Sequence, residues 1–470
     1  MASRILLISA NRCTVPEQVY PLGLTLLHGA LRRHGHTCGM LDVLSLTGTI
    51  EEAVSAFQPD FICVSLRNID DVAVLKRETY FPDFATLCRN LKSQTSCPVI
   101  IGGSGFSLFP QQLLELAGAD FGIAGEGEVS LPALITALEN RTSYDTIPGI
   151  VFRRGTSIIT VEPAGILEDF EVEVEDRPQA ITSHYLSQTG VMNIQTQRGC
   201  AHGCCYCTYP VIEGKRHRHR PPESVAREFQ QLKQLGAKYA FIVDSVFNSS
   251  PRHVGETCEA IIRAGAGISW GCFLRPQGLT PELMSLMARA GLTHVEFGSD
   301  SFCDEVLRHY NKHLTFEDIL LSTELAKGQN IDCCHFLIAG GPGETEETLE
   351  QTYANSLRLD HPTIMAAIGM RIYPGTPLYL RAIKEEIIPA DCDLLNPRYS
   401  IAPGLESESI FQQLRRFASK SPNWVVGDPV PEYFKLVTRL RSRGVVGPLW
   451  SYFAAIQRLW PQGSTGTATP

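Results

Sequence analysis

The sequence predicts an α/β protein built from two successive strand-and-helix series. The first is a doubly wound parallel sheet over residues 1–145, and the second a partial (β/α)6 barrel over 186–386. A linker at 146–185 joins them, and a small, mostly helical region at 387–470 follows. Three observations lead there. Short β-branched runs alternate with amphipathic stretches along most of the chain. The residues suited to chemistry gather where predicted strands of the second series end, as they do in barrel enzymes. The composition, 470 residues with 44% hydrophobic and 19% charged, excludes disorder and fibre.

Charge and termini narrow the function classes. Fifty acidic against 41 basic side chains give a net charge of −9, which disfavours a broad nucleic-acid surface. The apolar run Ile5 to Ile8 is too short for a secretory signal. No stretch approaches the roughly 20 apolar residues of a membrane span; the nearest, 444–460, is interrupted by Gly, Pro and Arg458. A cytoplasmic protein is expected. Of 15 cysteines, four fall within 200–207, which points to a metal and away from disulfides.

Taken in order, the first series reads as strands at 4–9, 38–43, 60–66, 98–103 and 119–124. Helices at 22–33, 50–57, 81–92, 110–117 and 130–139 separate them, and the loops are short enough for right-handed βαβ units of Rossmann-like type. Residues 144–186 loosen into a linker with a β-hairpin and an acidic run at 168–176. The second series has strands at 191–197, 239–245, 268–274, 293–298, 332–339 and 363–373. Its helices, at 222–235, 251–264, 281–290, 316–327 and 344–357, carry Pro, Asp or Glu in the first turn, as helix N-termini do. Beyond 387, residues 430–442 and 448–459 are amphipathic, and the Gly/Ser/Thr tail after Trp460 should fray.

The segment Gln197-Arg198-Gly199-Cys200-Ala201-His202-Gly203-Cys204-Cys205-Tyr206-Cys207 follows the first strand of the second series. Cys-x3-Cys-x2-Cys on one loop suits three irons of a [4Fe–4S] cube, leaving the fourth open. A zinc knuckle would need a second Cys-x2-Cys half, which is missing. Cys205 does not fit the spacing and reads as a bystander. With its aromatic Tyr206, the motif of Cys200, Cys204 and Cys207 resembles that of the radical S-adenosylmethionine (SAM) superfamily, with its partial TIM-like barrel. The resemblance implies a cluster whose open iron chelates SAM and cleaves it to a 5′-deoxyadenosyl radical in a site that excludes water. It further implies SAM contacts from Gly340, Gly341 and Gly343 after the fifth strand and from Glu296 on the fourth. Asp244, Asn248 and Arg275 end neighbouring strands at the same mouth. For each of these, a plain turn, cap or salt bridge is the alternative.

No Gly-x-Gly-x-x-Gly follows the first strand, which disfavours a dinucleotide. Glycines come later, as Gly102 and Gly103 after the fourth strand and as Gly125 and Gly127, flanking Glu126, after the fifth. This pair of loops, with Pro21 to Gly23 and Ser65 to Asp70, resembles the cobalamin-binding domain upstream of many radical SAM enzymes. The chain lacks Asp-x-His-x-x-Gly, so no histidine is expected beneath cobalt. Ser65 and Arg67 are placed at that lower face, with a pairing of Arg67 to Asp70 or Asp71 as the alternative.

Together these features imply a cobalamin-dependent radical SAM methyltransferase using a [4Fe–4S] cluster, SAM and cobalamin. It would carry the methyl of SAM through methylcobalamin to an unactivated carbon. A cobalamin-dependent cyclase or oxidase is the alternative, and a non-catalytic cobalamin or redox sensor a weaker one. Expected partners are a small-molecule or peptide substrate and a flavodoxin- or ferredoxin-type electron donor. The basic run Lys215 to Arg220 reads as a solvated face, or as a contact for cobalamin, the SAM carboxylate or an acidic donor. The C-terminal region is the expected substrate-facing part. There Trp424, Trp450, Phe453 and Trp460 either line a pocket, pack on the barrel or touch a membrane, packing being preferred.

Overall fold

The structure is a computed structural model that describes residues 2–14, 18–75, 77–163, 177–426, 439–440, 442–443, 445 and 447–452. The first sheet contains β1 (Arg4–Ser9), β2 (Thr37–Asp42), β3 (Phe61–Ser65), β4 (Val99–Gly102) and β5 (Phe121–Ile123), parallel in the order β2-β1-β3-β4-β5. The apolar runs of β1 and β3 are buried on both faces, as a sheet covered by helices on each side requires. The expected linker hairpin forms as β6 (Ile150–Arg154) and β7 (Ser157–Thr160), but it pairs antiparallel on β5 and extends this sheet to seven strands. The first structural unit therefore continues past residue 145. The acidic run 168–176 lies outside the described residues.

The second sheet is built from β8 (Val191–Ile194), β11 (Tyr239–Ile242), β12 (Ser269–Leu274), β13 (Leu292–Asp300), β14 (Asp332–Ala339) and β15 (Thr363–Ile368), all parallel. The first predicted strand breaks after Ile194. It resumes as β9 (Gln197–Arg198), which pairs antiparallel with β10 (Arg218–His219). The sixth breaks at Gly369, beyond which β16 (Met370–Arg371) pairs with β17 (Tyr399–Ser400). Two helices of this layer, Pro251–Ala264 and Pro281–Arg289, start at a capping hydroxyl followed by proline: Ser250 accepts the His253 N–H (3.3 Å) and Thr280 the Leu283 N–H (3.2 Å).

The C-terminal region supplies helix Ser407–Lys420 and adds an element not expected, a seventh parallel strand, β18 (Trp424–Val426), beside β15. Trp424 is buried against Phe417 and Tyr353. Residues 449–452 form a 3-10 turn that lays Trp450 on Cys334, Phe336, Met365 and Val425. These two tryptophans pack on the barrel. The predicted helix 430–442 and most of 448–459, with Phe453 and Trp460, lie outside the described residues. Among the described residues no helix is long and apolar enough to cross a membrane.

Buried polar contacts join the two layers. Arg371 Nε meets Asp70 Oδ2 at 3.0 Å, both side chains 1% exposed, and the Tyr185 hydroxyl donates to Asp42 (3.0 Å). Pairs so fully desolvated fix register between domains more than they add stability.

Candidate functional site

The cysteine loop leaves β9 through Gly199, whose φ of +80° only glycine adopts at ease, and any Cβ there would overlap the Arg216 carbonyl. The Cys200 N–H donates to Gly214 O (3.0 Å), and the Cys207 N–H closes a turn on Cys204 O (3.2 Å). Asn311 Nδ2 holds Gly203 O at 2.6 Å. Cys200, Cys204 and Cys207 are free thiols within electrostatic reach of one another. Burial pushes Cys207 up to about 12 and also raises Cys204, which Lys312 and Arg275 partly relieve. Metal ligation would deprotonate all three. Among the described residues no three ligating side chains converge on a single ion. A four-iron cube needs instead a wider triangle, each thiolate on its own iron. Cys205 is held apart: its N–H donates to Tyr310 O (3.0 Å), and its side chain is buried in the apolar cluster that also includes Val306 and Tyr310.

Around this loop lies a buried triad that sequence reading missed. The Tyr206 hydroxyl donates to Asp300 Oδ2 (2.6 Å), and Lys312 Nζ stands 3.0 Å from the same oxygen. Asp300 ends β13 at a φ of +64°, a strained strand end of the kind that marks functional sites. Lys312 had no local signal. Arg275 reaches the same place, donating to Lys312 O and, at 3.1 Å, to His313 O.

Other expected SAM contacts are engaged with protein. Asp244, 1% exposed, accepts the Thr196 N–H (2.7 Å), the Thr196 hydroxyl (2.5 Å) and the Gln197 N–H (3.1 Å), so it braces the strand leading into the cysteine loop. Glu296 sits mid-strand, where Trp450 Nε1 donates to it (2.9 Å). Asn248 holds the Arg275 backbone. Gly340 packs on Ile410, Gly341 on Tyr310 and Gly343 on the His309 ring, each at a distance that leaves no room for a Cβ.

Glu344, just after that turn, accepts Thr348 Oγ1 (2.7 Å) and the Gly340 N–H (3.3 Å), and burial lifts its carboxyl to about 7. A carboxyl raised from 4.5 stabilises the fold fully below its unfolded pKa, and that contribution is lost as pH rises through the folded value. Between pH 5 and pH 8 the Tm of the wild type should therefore lose ground relative to that of Glu344→Gln. Parallel melting curves across this range check it; identical slopes would refute it.

Between the domains lies a cavity of about 340 Å³. Ser65, Arg67, Gly102, Gly103, Gly125, Glu126 and Gly127 all line it, opposite Asn193, Gln195, Arg198, Tyr209, Glu213 and Val243 of the barrel. Gly103, at φ +102°, lets the β4 loop cross the Leu66 carbonyl, which a Cβ would strike at 2.5 Å. Asp70 belongs to Arg371, so the alternative pairing of Arg67 with Asp70 is not formed. The Arg67 guanidinium is wetted by the cavity yet ringed by protein; burial lowers its pKa, and Cys13, Tyr209 and Tyr185 act on it. Glu126, expected as a ligand contact, lines the cavity and also pairs with Arg218 (2.7 Å) and Arg198 (3.4 Å), while Glu128 takes Arg198 (2.5 Å). Cavity wall and cysteine loop are thus tied together, since Arg198 lies two residues before Cys200.

Residues 194–355 match the model of the Radical SAM superfamily, and residues 8–135 that of the B12 binding domain. The tryptophan 2-C-methyltransferase of Streptomyces laurentii is 23% identical over 437 residues, covering 79% of this chain and 73% of that protein. The anaerobic magnesium-protoporphyrin IX monomethyl ester cyclase of Synechocystis sp. is 29% identical over 310 residues, covering 63% and 60%. The structure of the radical SAM methyltransferase TsrM from Kitasatospora setae, with cobalamin and a [4Fe-4S] cluster bound, has a TM-score of 0.86 at 22% identity, covering 98% of each chain.

Proposed function

The chain joins a B12 binding domain to a radical SAM domain, and from that premise we propose that it is a cobalamin-dependent radical SAM methyltransferase acting on an unactivated carbon of a small-molecule or peptide substrate. The observation that carries this reading is the shared wall. The cavity lined by both glycine loops and Arg67 is bounded on its other side by the strand that leads into Cys200, Cys204 and Cys207. When bound, the cluster supplies low-potential electrons to SAM, and cobalamin carries a methyl group.

The chain's own residues supply binding and orientation. Cys200, Cys204 and Cys207 hold the cluster, and Lys312, fixed by Asp300, sets a positive charge beside Cys204. Gly102, Gly103, Gly125 and Gly127 let a bulky ligand approach the backbone. Arg67 lines the same cavity and would set a cation beside a bound cobalamin. The buried pair Arg371–Asp70 holds the domains together, which helps exclude water from the site.

A second reading, cyclisation, draws on the similarity to the Synechocystis cyclase, which spans less of both chains than the similarity to the Streptomyces laurentii methyltransferase does. One experiment separates the two. Anaerobically reconstituted protein receives hydroxocobalamin, SAM and a strong reductant, and 5′-deoxyadenosine, S-adenosylhomocysteine and the cobalamin spectrum are followed. Methyl transfer predicts both SAM products and a methylated cobalamin spectrum. Deoxyadenosine without homocysteine would favour cyclisation or oxidation. In the same assay Arg67→Gln should lower homocysteine formation at least about tenfold, a loss of about 1.4 kcal/mol of barrier reduction, while hydroxocobalamin affinity changes far less. Equal losses in both would assign Arg67 to cobalamin binding alone.

A further inference from the structure

Three consecutive residues that follow the helix Asp304–His309 hold the cysteine loop. Tyr310 O accepts the Cys205 N–H (3.0 Å), Asn311 Nδ2 donates to Gly203 O (2.6 Å), and Lys312 Nζ meets the Asp300 oxygen that also takes the Tyr206 hydroxyl. The backbone is bent hard to make these contacts. Asn311 at φ +58° and His313 at φ +49° are left-handed, as is Asp300 at +64°. None of the three is glycine, and such strain persists only where the surroundings enforce it. What the bend delivers is one ammonium, buried to 8% side-chain exposure against a carboxylate at 5%, with its own carbonyl gripped by the Arg275 guanidinium. Stability does not account for the pair, because two charges so fully desolvated contribute little net free energy. Its orientation is unequal: the ammonium acts on the Cys204 thiol more strongly than the Asp300 carboxylate does, and it reaches Cys207 as well.

We propose that Lys312 and Asp300 are a fixed charge pair that sets the reduction potential of the cluster, the ammonium favouring the reduced state and the carboxylate holding that effect in check. This rests on the reading of Cys200, Cys204 and Cys207 as cluster ligands. Three thiolates on a doubly positive cube leave one negative charge, and reduction adds a second. A cation fixed beside the thiolates therefore stabilises the reduced form more than the oxidised one, and net charge is one of the levers that set such potentials. Burial strengthens the effect, since few water dipoles stand between the charges. One electron enters the cluster from the external reductant, no bond forms or breaks, and no proton need move. Neither residue has to touch SAM, cobalamin or substrate for this role. Fixing matters as much as charge: a lysine free to swing would give a spread of potentials, whereas Asp300 and the strained turn at 311–313 hold the ammonium in one place.

The test uses the full chain, reconstituted anaerobically and poised at a series of potentials without SAM, with the reduced cluster read by electron paramagnetic resonance. Iron content and melting temperature are measured beside it. At the wild-type midpoint, Lys312→Gln should lower the ratio of reduced to oxidised cluster at least tenfold, a shift of about 59 mV for one electron. Asp300→Asn should move the midpoint the other way, and the double variant should return most of the distance to the wild type. Asn311→Ala, which frees Gly203 in the same loop without altering charge, should leave the midpoint unchanged. Shifts of opposite sign from the two charge variants are what a purely structural salt bridge would not produce, since breaking it from either side loosens the loop alike. Midpoints that move together, or that stay put in folded and loaded variants, would overturn the proposal. If Lys312→Gln loses its cluster, Asp300→Asn decides alone: a raised midpoint supports the proposal and an unmoved one overturns it. A wild type that takes up no iron would sink the ligand assignment and this proposal with it, whereas a loaded wild type without the opposed shifts sinks the proposal alone.

Discussion

Cys200→Ala, Cys204→Ala and Cys207→Ala should each abolish the iron–sulfur absorption and electron paramagnetic resonance signals of the reconstituted protein, and with them all 5′-deoxyadenosine formation. Three thiolates on one loop are the minimum that leaves a cube with one open iron, so removal of any one takes away a ligand that no neighbour replaces. Cys205 is adjacent in sequence, but its backbone is tied to Tyr310 and Leu378, and its side chain belongs to a buried apolar cluster. Moving it to the cluster would unmake those contacts. Cys205→Ala should therefore keep the cluster and cost only packing, about 1 kcal/mol for a small void in a close-packed core. Iron content and spectra of all four variants, beside their melting temperatures, check this. A Cys200→Ala protein that still formed deoxyadenosine would sink the assignment, as would loss of the cluster in a folded Cys205→Ala protein.

The contrast between these neighbouring cysteines shows what local pattern conveys. Spacing along one loop is a short-range property, so the three candidate ligands were legible, as were the glycines of the β4 and β5 loops that line the cavity. The alternating series were legible too, because apolar runs buried on both faces need helices to cover them. Partnership at long range was not. Nothing near Glu126 indicates Arg218, 92 residues away, and nothing near Glu296 indicates Trp450, 154 residues on. In sequence such a carboxylate looks the same whether protein, ligand or both fill its hydrogen bonds, so these protein partners were not legible. Lys312 is a lone basic residue in sequence and acquires meaning only when folding sets it beside Asp300. β18 escaped notice because three residues, Trp424 to Val426, carry too little periodicity, whereas the neighbouring strand β15 supplies the pairing that defines them.

The largest loss of stability should come from a buried cluster of one carboxylate and two arginines. Glu228 accepts Arg177 at 2.5 Å on one oxygen and Arg220 at 2.6 Å on the other, and all three side chains are 0% exposed. The two guanidiniums also clamp the strand that leads to the cysteine loop: Arg177 donates to Asn193 O and Arg220 to Gln195 O, each at 2.8 Å. Arg177 lies over the Tyr20 ring of the first domain, 4.8 Å from its centroid. Glu228→Ala would leave two buried cations facing each other without their shared anion, which typically costs about 3–5 kcal/mol. Because Asn193, Gln195 and Tyr20 all line the interdomain cavity, the damage should also appear as weaker hydroxocobalamin binding, although Glu228 itself is not among the cavity's lining residues. Replacing all three members by Met, Leu and Met should recover much of the melting temperature, since apolar side chains of similar volume remove the desolvation penalty together with the attraction. Cobalamin affinity should recover less, because the carbonyls of Asn193 and Gln195 would still lack their arginine donors. Thermal unfolding and hydroxocobalamin titration of both variants decide the matter. If Glu228→Ala melts within a degree of the wild type, the triad does not hold this junction.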